Sequence, residues 1–346
     1  MRLTMTSTGG AIAALLALWL VMSLVWTPFP ASAAERAART IGNGMIALAV
    51  ASSLPERMRA SNLHLMTIGI ALATLALSAT ALLSPIAFTA LQNPEAPTFG
   101  RAAVAANVMV WPAVAWTFIR GRNWQGLALI AVSGLATATS GSLDAAASLV
   151  AALLVFMAAR TSIDRTARIM AVLAGASVLL APLASVLCLV IGKAMMLEPE
   201  HIVTETGLWA VQFLAEPVRL LTGHGFDTSY RAQLAGLINQ NAPDGFLPVL
   251  WYDLGLPGAV LFAALLFVAF RGIGQLAQPL APTGMAVMTG ALVFAYMDPT
   301  AMQAWWQSVC IIAGVMMVAV HNGQYRTARP AAHVVGTPSG SLPAKA

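Results

Sequence analysis

Residues 169–191 read IMAVLAGASVLLAPLASVLCLVI, a run without one charged side chain, preceded by Arg165 and Arg168 and followed by Lys193. About 17 to 25 mostly apolar residues are needed for a helix to cross a bilayer, so this run predicts a membrane span with cations at both ends. Four further runs are of the same kind: Ala11 to Thr27, His64 to Ala87, Ala102 to Ile119 and Thr300 to Val320. Five more are shorter or interrupted by Gly or a terminal charge: Ile41 to Leu54, Trp124 to Thr139, Leu143 to Ala159, Phe246 to Phe270 and Thr283 to Met297. Together they predict an all-α polytopic membrane protein of about ten transmembrane helices.

Composition supports the same class. The chain is 59% hydrophobic and 9% charged, with a mean hydropathy of +0.78, which leaves too little polar surface for a soluble domain of 346 residues. The net charge of +5 does not point to nucleic acid, because the basic residues stand singly between apolar runs and form no patch. Instead they follow the positive-inside rule. With ten spans and the N-terminus inside, 12 of the 18 basic residues fall on cytoplasmic segments, among them Arg57, Arg59, Arg120, Arg122, Arg160, Arg165, Arg168 and Arg271. The short outer loops hold Arg36, Arg39, Arg101 and Lys193. Adding or removing one helix would put the Arg160 to Arg168 cluster outside. Both termini are therefore expected in the cytoplasm.

Arg2, the first apolar run and Ala31-Ser32-Ala33 also match the three regions of a cleavable signal peptide. The apolar run exceeds the roughly 7 to 15 residues of a signal core, so the first span is expected to be retained. Cys188 and Cys310 lie within apolar runs, where a thiol behaves as a small hydrophobe, and no metal or cofactor is expected. Helix interiors hold almost no ionisable group; Asp144, Lys193, Asp298 and His64 fall near predicted ends. That disfavours an ion-coupled permease, which places such groups at mid-membrane depth.

The expected organisation is an N-terminal bundle of about seven helices over 1–192, a long outer loop over 193–248, C-terminal helices over 249–321 and a disordered cytoplasmic tail over 322–346, rich in Gly, Pro, Ser and Ala. From Glu198 to Asp253 the chain gathers seven of its 13 acids together with His201, Arg219, His224 and Arg231. Leu208, Trp209, Val211, Phe213, Leu214, Val218 and Leu221 recur at near-helical spacing, predicting an amphipathic helix over Val203 to Leu221 on the membrane face. In Thr222-Gly-His-Gly-Phe-Asp-Thr-Ser229 two glycines flank His224 and set the imidazole on a tight turn, open either to solvent or to a ligand. Pro248, Gly255, Pro257 and Gly258 predict a broken start to the following span, and non-helical backbone at that depth usually lines a cavity.

Three segments, in order, carry a family resemblance. Ser140-Gly-Ser-Leu-Asp-Ala-Ala146 stands at the outer start of a span. Thr204-Glu-Thr-Gly-Leu-Trp209 is followed by Leu220-Leu-Thr-Gly-His-Gly-Phe226, and Ala242-Pro-Asp-Gly-Phe-Leu247 by Asp253-Leu-Gly-Leu-Pro-Gly258. In these the chain resembles the O-antigen ligase and Wzy-type polysaccharide polymerase superfamily of the bacterial inner membrane, with its tryptophan-bearing loop helix, Gly-X-Gly turn, His-Asn-X-X-Leu stretch and Glu-X-Gly-X-X-Gly helix start. The resemblance implies transfer of a glycan from an undecaprenyl-pyrophosphate-linked donor to an acceptor glycan or lipid on the periplasmic side, alongside polysaccharide assembly machinery. It places Arg219 and Arg231 on the donor pyrophosphate, and Asp244 or His224 as base at the acceptor hydroxyl. The chain departs from the pattern where Pro243 and Asp244 stand in place of His-Asn and Glu205 in place of an Arg. A non-catalytic transporter or scaffold of polysaccharide export is the alternative these departures leave open.

Overall fold

In hydrocarbon a backbone amide has no water to bond to, so a chain this apolar satisfies its backbone within helices. In the computed structural model, which describes residues 7–55, 63–83, 98–198, 201–239, 242–243, 245–298 and 303–323, every regular element is an α-helix. They are α1 (Thr8–Ser23), α2 (Pro30–Ser53), α3 (Leu63–Leu83), α4 (Thr98–Ile119), α5 (Asn123–Ser140), α6 (Leu143–Thr161), α7 (Ile163–Leu179), α8 (Ala181–Ala194), α9 (Ile202–Ala215), α10 (Arg219–Thr222), α11 (Thr228–Leu234), α12 (Phe246–Gly274), α13 (Leu280–Met297) and α14 (Ala304–Gly323).

Among the described residues, six helices are long and apolar enough to cross a membrane: α3, α4 (over Phe99–Ile119), α6, α12, α13 and α14. The chain is a polytopic helical membrane protein. Of the remaining segments read as spans, α1 is apolar but has 16 residues. α2 is longer than expected, so that Arg36 and Arg39 stand on its early turns and not in a loop. α5 carries inward polar groups that its neighbours satisfy. Ser133 and Thr137 donate to Asn107 Oδ1 of α4 at 2.7 and 3.0 Å, and Asn107 Nδ2 donates to the Ala145 carbonyl of α6 at 2.9 Å.

The run 169–191 is not one straight helix. α7 and α8 meet at a 65° bend around Leu180. The reason is local: Pro182 has no N–H, so the Val178 carbonyl four residues earlier loses its helical donor. Trp251 of α12 supplies one, its indole N–H donating to Val178 O at 2.7 Å. α8 then pairs with α9, α7 packs along α12, and α6 packs along α13. The largest apolar cluster joins α7, α9 and α12 through Val178, Trp209, Phe213, Trp251 and Leu266.

The amphipathic helix is shorter than the spacing predicts. α9 stops at Ala215, because the residue before a proline is pushed out of the α region and Glu216 precedes Pro217 with φ −130° and ψ 70°. Trp209 and Phe213 are buried, whereas Val211, Leu214, Val218 and Leu221 are exposed.

Trp251→Phe should keep the ring packing but orphan Val178 O. We expect a loss of about 1–3 kcal/mol in reversible unfolding in mixed micelles, with Trp124→Phe, an exposed position, unchanged. Equal stability of the two variants would mean that the bend does not depend on this bond.

Candidate functional site

α12 is broken at Gly255, with φ 61° and ψ −162°. The break leaves the preceding carbonyls without helical partners, and Pro257 removes the donor that Asp253 O would have used. A loop and a tryptophan fill the gap. His224 N–H donates to Tyr252 O at 2.8 Å, Gly225 N–H to Asp253 O at 3.0 Å, and Trp19 Nε1–H to Leu254 O at 2.9 Å. The Gly-His-Gly turn is thus docked edge-on against the helix break. Glycine is required on both sides of this contact. Gly223 has φ 72°, and a Cβ there would collide with the Asp253 carbonyl; a Cβ on Gly255 would meet the Gly223 amide.

The turn is held from below by Asp253, whose carboxylate accepts from the backbone N–H of Asp227 at 3.1 Å and of Ser229 at 2.8 Å. Asp253 is buried, so these bonds replace water that the side chain has lost. α1 adds Ser23 Oγ, which accepts from Phe226 N–H at 3.2 Å, and the connection after α1 adds Thr27 Oγ1, which lies 3.1 Å from Thr228 Oγ1. Elements some 200 residues apart in sequence therefore fix one turn.

On its open side the turn presents His224. The imidazole lies flat on the Tyr252 ring, with centroids 3.9 Å apart and planes 8° from parallel, and its side chain is 19% exposed. Nδ1 lies 3.1 Å from the Tyr252 carbonyl oxygen. A carbonyl only accepts, so Nδ1 carries the proton and the neutral ring keeps its lone pair on Nε2. Nε2 points to Glu216, 3.4 Å away, and Glu216 is 3.7 Å from Arg219 Nε. Gln212, Phe213, Leu220 and Trp251 complete a shallow cleft around this group. Burial pulls the His224 pKa below its ordinary value, opposed by the Tyr252 carbonyl and Glu216. His224 in this cleft is suited to accept a proton at Nε2, and Arg219 to receive an anion.

Arg231 is elsewhere. It lies 3.6 Å from Asp227, which also binds Arg36 of α2 and is only 5% exposed. Asp227 stands in the left-handed region at φ 62°, between the two guanidinium groups. Of the four residues expected to share a site, His224 and Arg219 come together and Arg231 joins a separate network behind the turn. Asp244 lies outside the described residues; its neighbours are held by Trp209 Nε1–H, which donates to Pro243 O at 2.8 Å, and Gln233, which donates to Ala242 O at 2.8 Å. Glu216, Tyr252, Asp253 and Arg36 were not expected in these roles. Asp253 had a signal, its place in Asp-Leu-Gly-Leu-Pro-Gly; Arg36, 191 residues from Asp227, had none. Among the described residues no three His, Cys, Asp or Glu side chains are grouped to hold a metal ion.

Gly223→Ala should cost about 1–3 kcal/mol from backbone strain alone and expose the turn to limited proteolysis; a wild-type cleavage pattern would show that the docking is not tight. The folded protein favours neutral His224, so it binds fewer protons than the unfolded chain. Its contribution is whole above about pH 6.5 and is lost as pH falls through that value towards the lower folded pKa. A ring titration by NMR should place His224 below the ordinary value, with Glu216→Gln moving it lower still; an upward move would overturn the pairing. No family model, curated protein or solved structure matches the chain.

Proposed function

We propose that this chain is a bacterial inner-membrane protein that transfers a glycan from an undecaprenyl-pyrophosphate-linked donor to an acceptor sugar on the periplasmic side. The observation that carries the proposal is the cleft at the helix break, where Nε2 of His224 faces Glu216 and Glu216 faces Arg219. In this scheme Nε2 removes the proton of the acceptor hydroxyl, whose oxygen attacks the anomeric carbon as the bond to the pyrophosphate oxygen breaks. Arg219 stabilises the charge on the leaving pyrophosphate. Asp244, close in sequence to the start of α12, is the second candidate base. Arg231 acts through the position of the turn, because its guanidinium lies outside the cleft beside the buried Asp227, whereas Arg219 lines the cleft beside the exposed Glu216.

Ten spans with both termini in the cytoplasm accord with this scheme. Each run read as a span contains a helix or, at 169–191, a bent pair, and the cleft lies at the end of α12 facing away from Arg160 and Arg271. A second reading, a non-catalytic component of polysaccharide export, draws support from the single cation in the cleft and from the seven carboxylates between Glu198 and Asp253 against Arg219 and Arg231.

Deletion of the gene in its host should remove a long surface glycan from gels of extracted polysaccharide. Wild type should restore it; Arg219→Ala and His224→Ala, at unchanged protein level, should not. Rescue by both variants would sink the catalytic proposal in favour of the second reading. Purified protein that consumes lipid-linked donor without partners would exclude that reading.

A further inference from the structure

At the end of the bundle opposite the His224 cleft, roughly 30 Å away along the part of α12 that follows its break at Gly255, a surface cleft of about 190 Å³ opens between the end of α4, the start of α5, the end of α6 and the connection from α12 to α13. Its walls are Phe118, Phe156 and Pro282, and its polar groups are Arg160, Asn123 and Gln278. We propose that this cavity binds the phosphate headgroup of an anionic phospholipid.

Charge is the first reason. The ion pairs that Arg36, Arg39, Arg219 and Arg231 make with acids lie at the cleft end. Arg160 instead has ring faces for neighbours. Its guanidinium carbon lies 5.4 Å from the centroid of Phe118 and 5.9 Å from that of Phe156, and these two rings are stacked 6.0 Å apart. The aromatic contacts hold the cation in place without neutralising it. Asp164 is the described carboxylate at this end, and no ion pair joins it to Arg160. An anion with several acceptor oxygens would bond to the guanidinium fork and to the amide N–H groups of Asn123 and Gln278.

Position is the second reason. The cavity opens where α4 and α6, helices of membrane-crossing length, end, which sets it toward one boundary of the apolar bundle. Of the helices that line it, α5 exposes Trp124 and Leu127 in its first turns and α6 exposes Leu154 and Met157 in its last turns, apolar surface against which acyl chains can lie. A tryptophan at such a boundary is a usual interfacial anchor. A zwitterionic lipid offers the same phosphate but brings an ammonium, for which the cavity supplies no carboxylate; an anionic lipid has no such conflict. The proposal does not depend on the glycosyl-transfer reading.

The test is native mass spectrometry of the full-length protein in detergent, titrated with phosphatidylglycerol or phosphatidylcholine. A phosphatidylglycerol adduct should form in preference, weaken about fivefold in Arg160→Gln, the effect of one arginine at an anionic surface, and persist in Arg160→Lys. Arg165→Gln, which changes an exposed charge at the same end, should leave it unchanged. Equal binding of the two lipids, or equal loss in Arg160→Gln and Arg165→Gln, would overturn the proposal. Displacement by millimolar inorganic phosphate without any lipid preference would overturn it too, assigning the cavity to a free anion. A wild-type melting temperature for Arg160→Gln excludes misfolding as the cause of a lost adduct.

Discussion

A carbonyl without a donor is expensive in an apolar medium, and this chain frees such carbonyls at two helix breaks that lie against one another. At the first, Pro182 strips Val178 O of its donor and Trp251 replaces it. At the second, Gly255 and Pro257 release the carbonyls of Tyr252, Asp253 and Leu254, and the donors come from the Gly-His-Gly turn and from Trp19. Because Trp251 immediately precedes Tyr252, the two repairs share one turn of α12. The bend of α7 into α8, the docking of the turn and the seat of α1 are therefore parts of one hydrogen-bonding problem.

The chemistry of the cleft follows from that repair. His224 donates its backbone N–H to Tyr252 O and directs Nδ1 at the same oxygen, so the helix break that needs the turn also sets the tautomer of the ring. Stacking on Tyr252 holds the imidazole plane, and Nε2 is left to meet Glu216 and the cleft. Asp253 adds a second constraint from beneath by fixing the amides of Asp227 and Ser229. A side chain on so flexible a sequence as Gly-His-Gly keeps one orientation only because three helices surround it.

The charges divide along the bundle. At the cleft end arginines and acids meet, with Arg36 and Arg231 on Asp227 and Arg219 on Glu216. At the other end arginines are rooted on aromatic rings, Arg120 over Trp116 and Arg160 over Phe118 and Phe156, as Arg101 is over Trp305 and Arg231 over Phe29 at the cleft end.

The amino-acid sequence determined the class of the protein, the approximate place of its helices, the helix break at Gly255 and the cluster around His224. These are written in local pattern: apolar length, the missing amide of proline and the conformational freedom of glycine. It also brought His224 and Arg219 into one region, since only four residues lie between them. Tertiary structure decided the rest. The run 169–191 reads as one span because hydropathy is blind to where a freed carbonyl can find a donor, and Trp251, which supplies it, is some 70 positions away. Arg231 reads as a free cation because its partner Asp227 is itself oriented by Asp253 and shared with Arg36, whose separation of 191 residues leaves no trace in local spacing. Which cation lines the cleft and which lies behind the turn is a property of packing, since an ion pair forms wherever the folded chain brings opposite charges together.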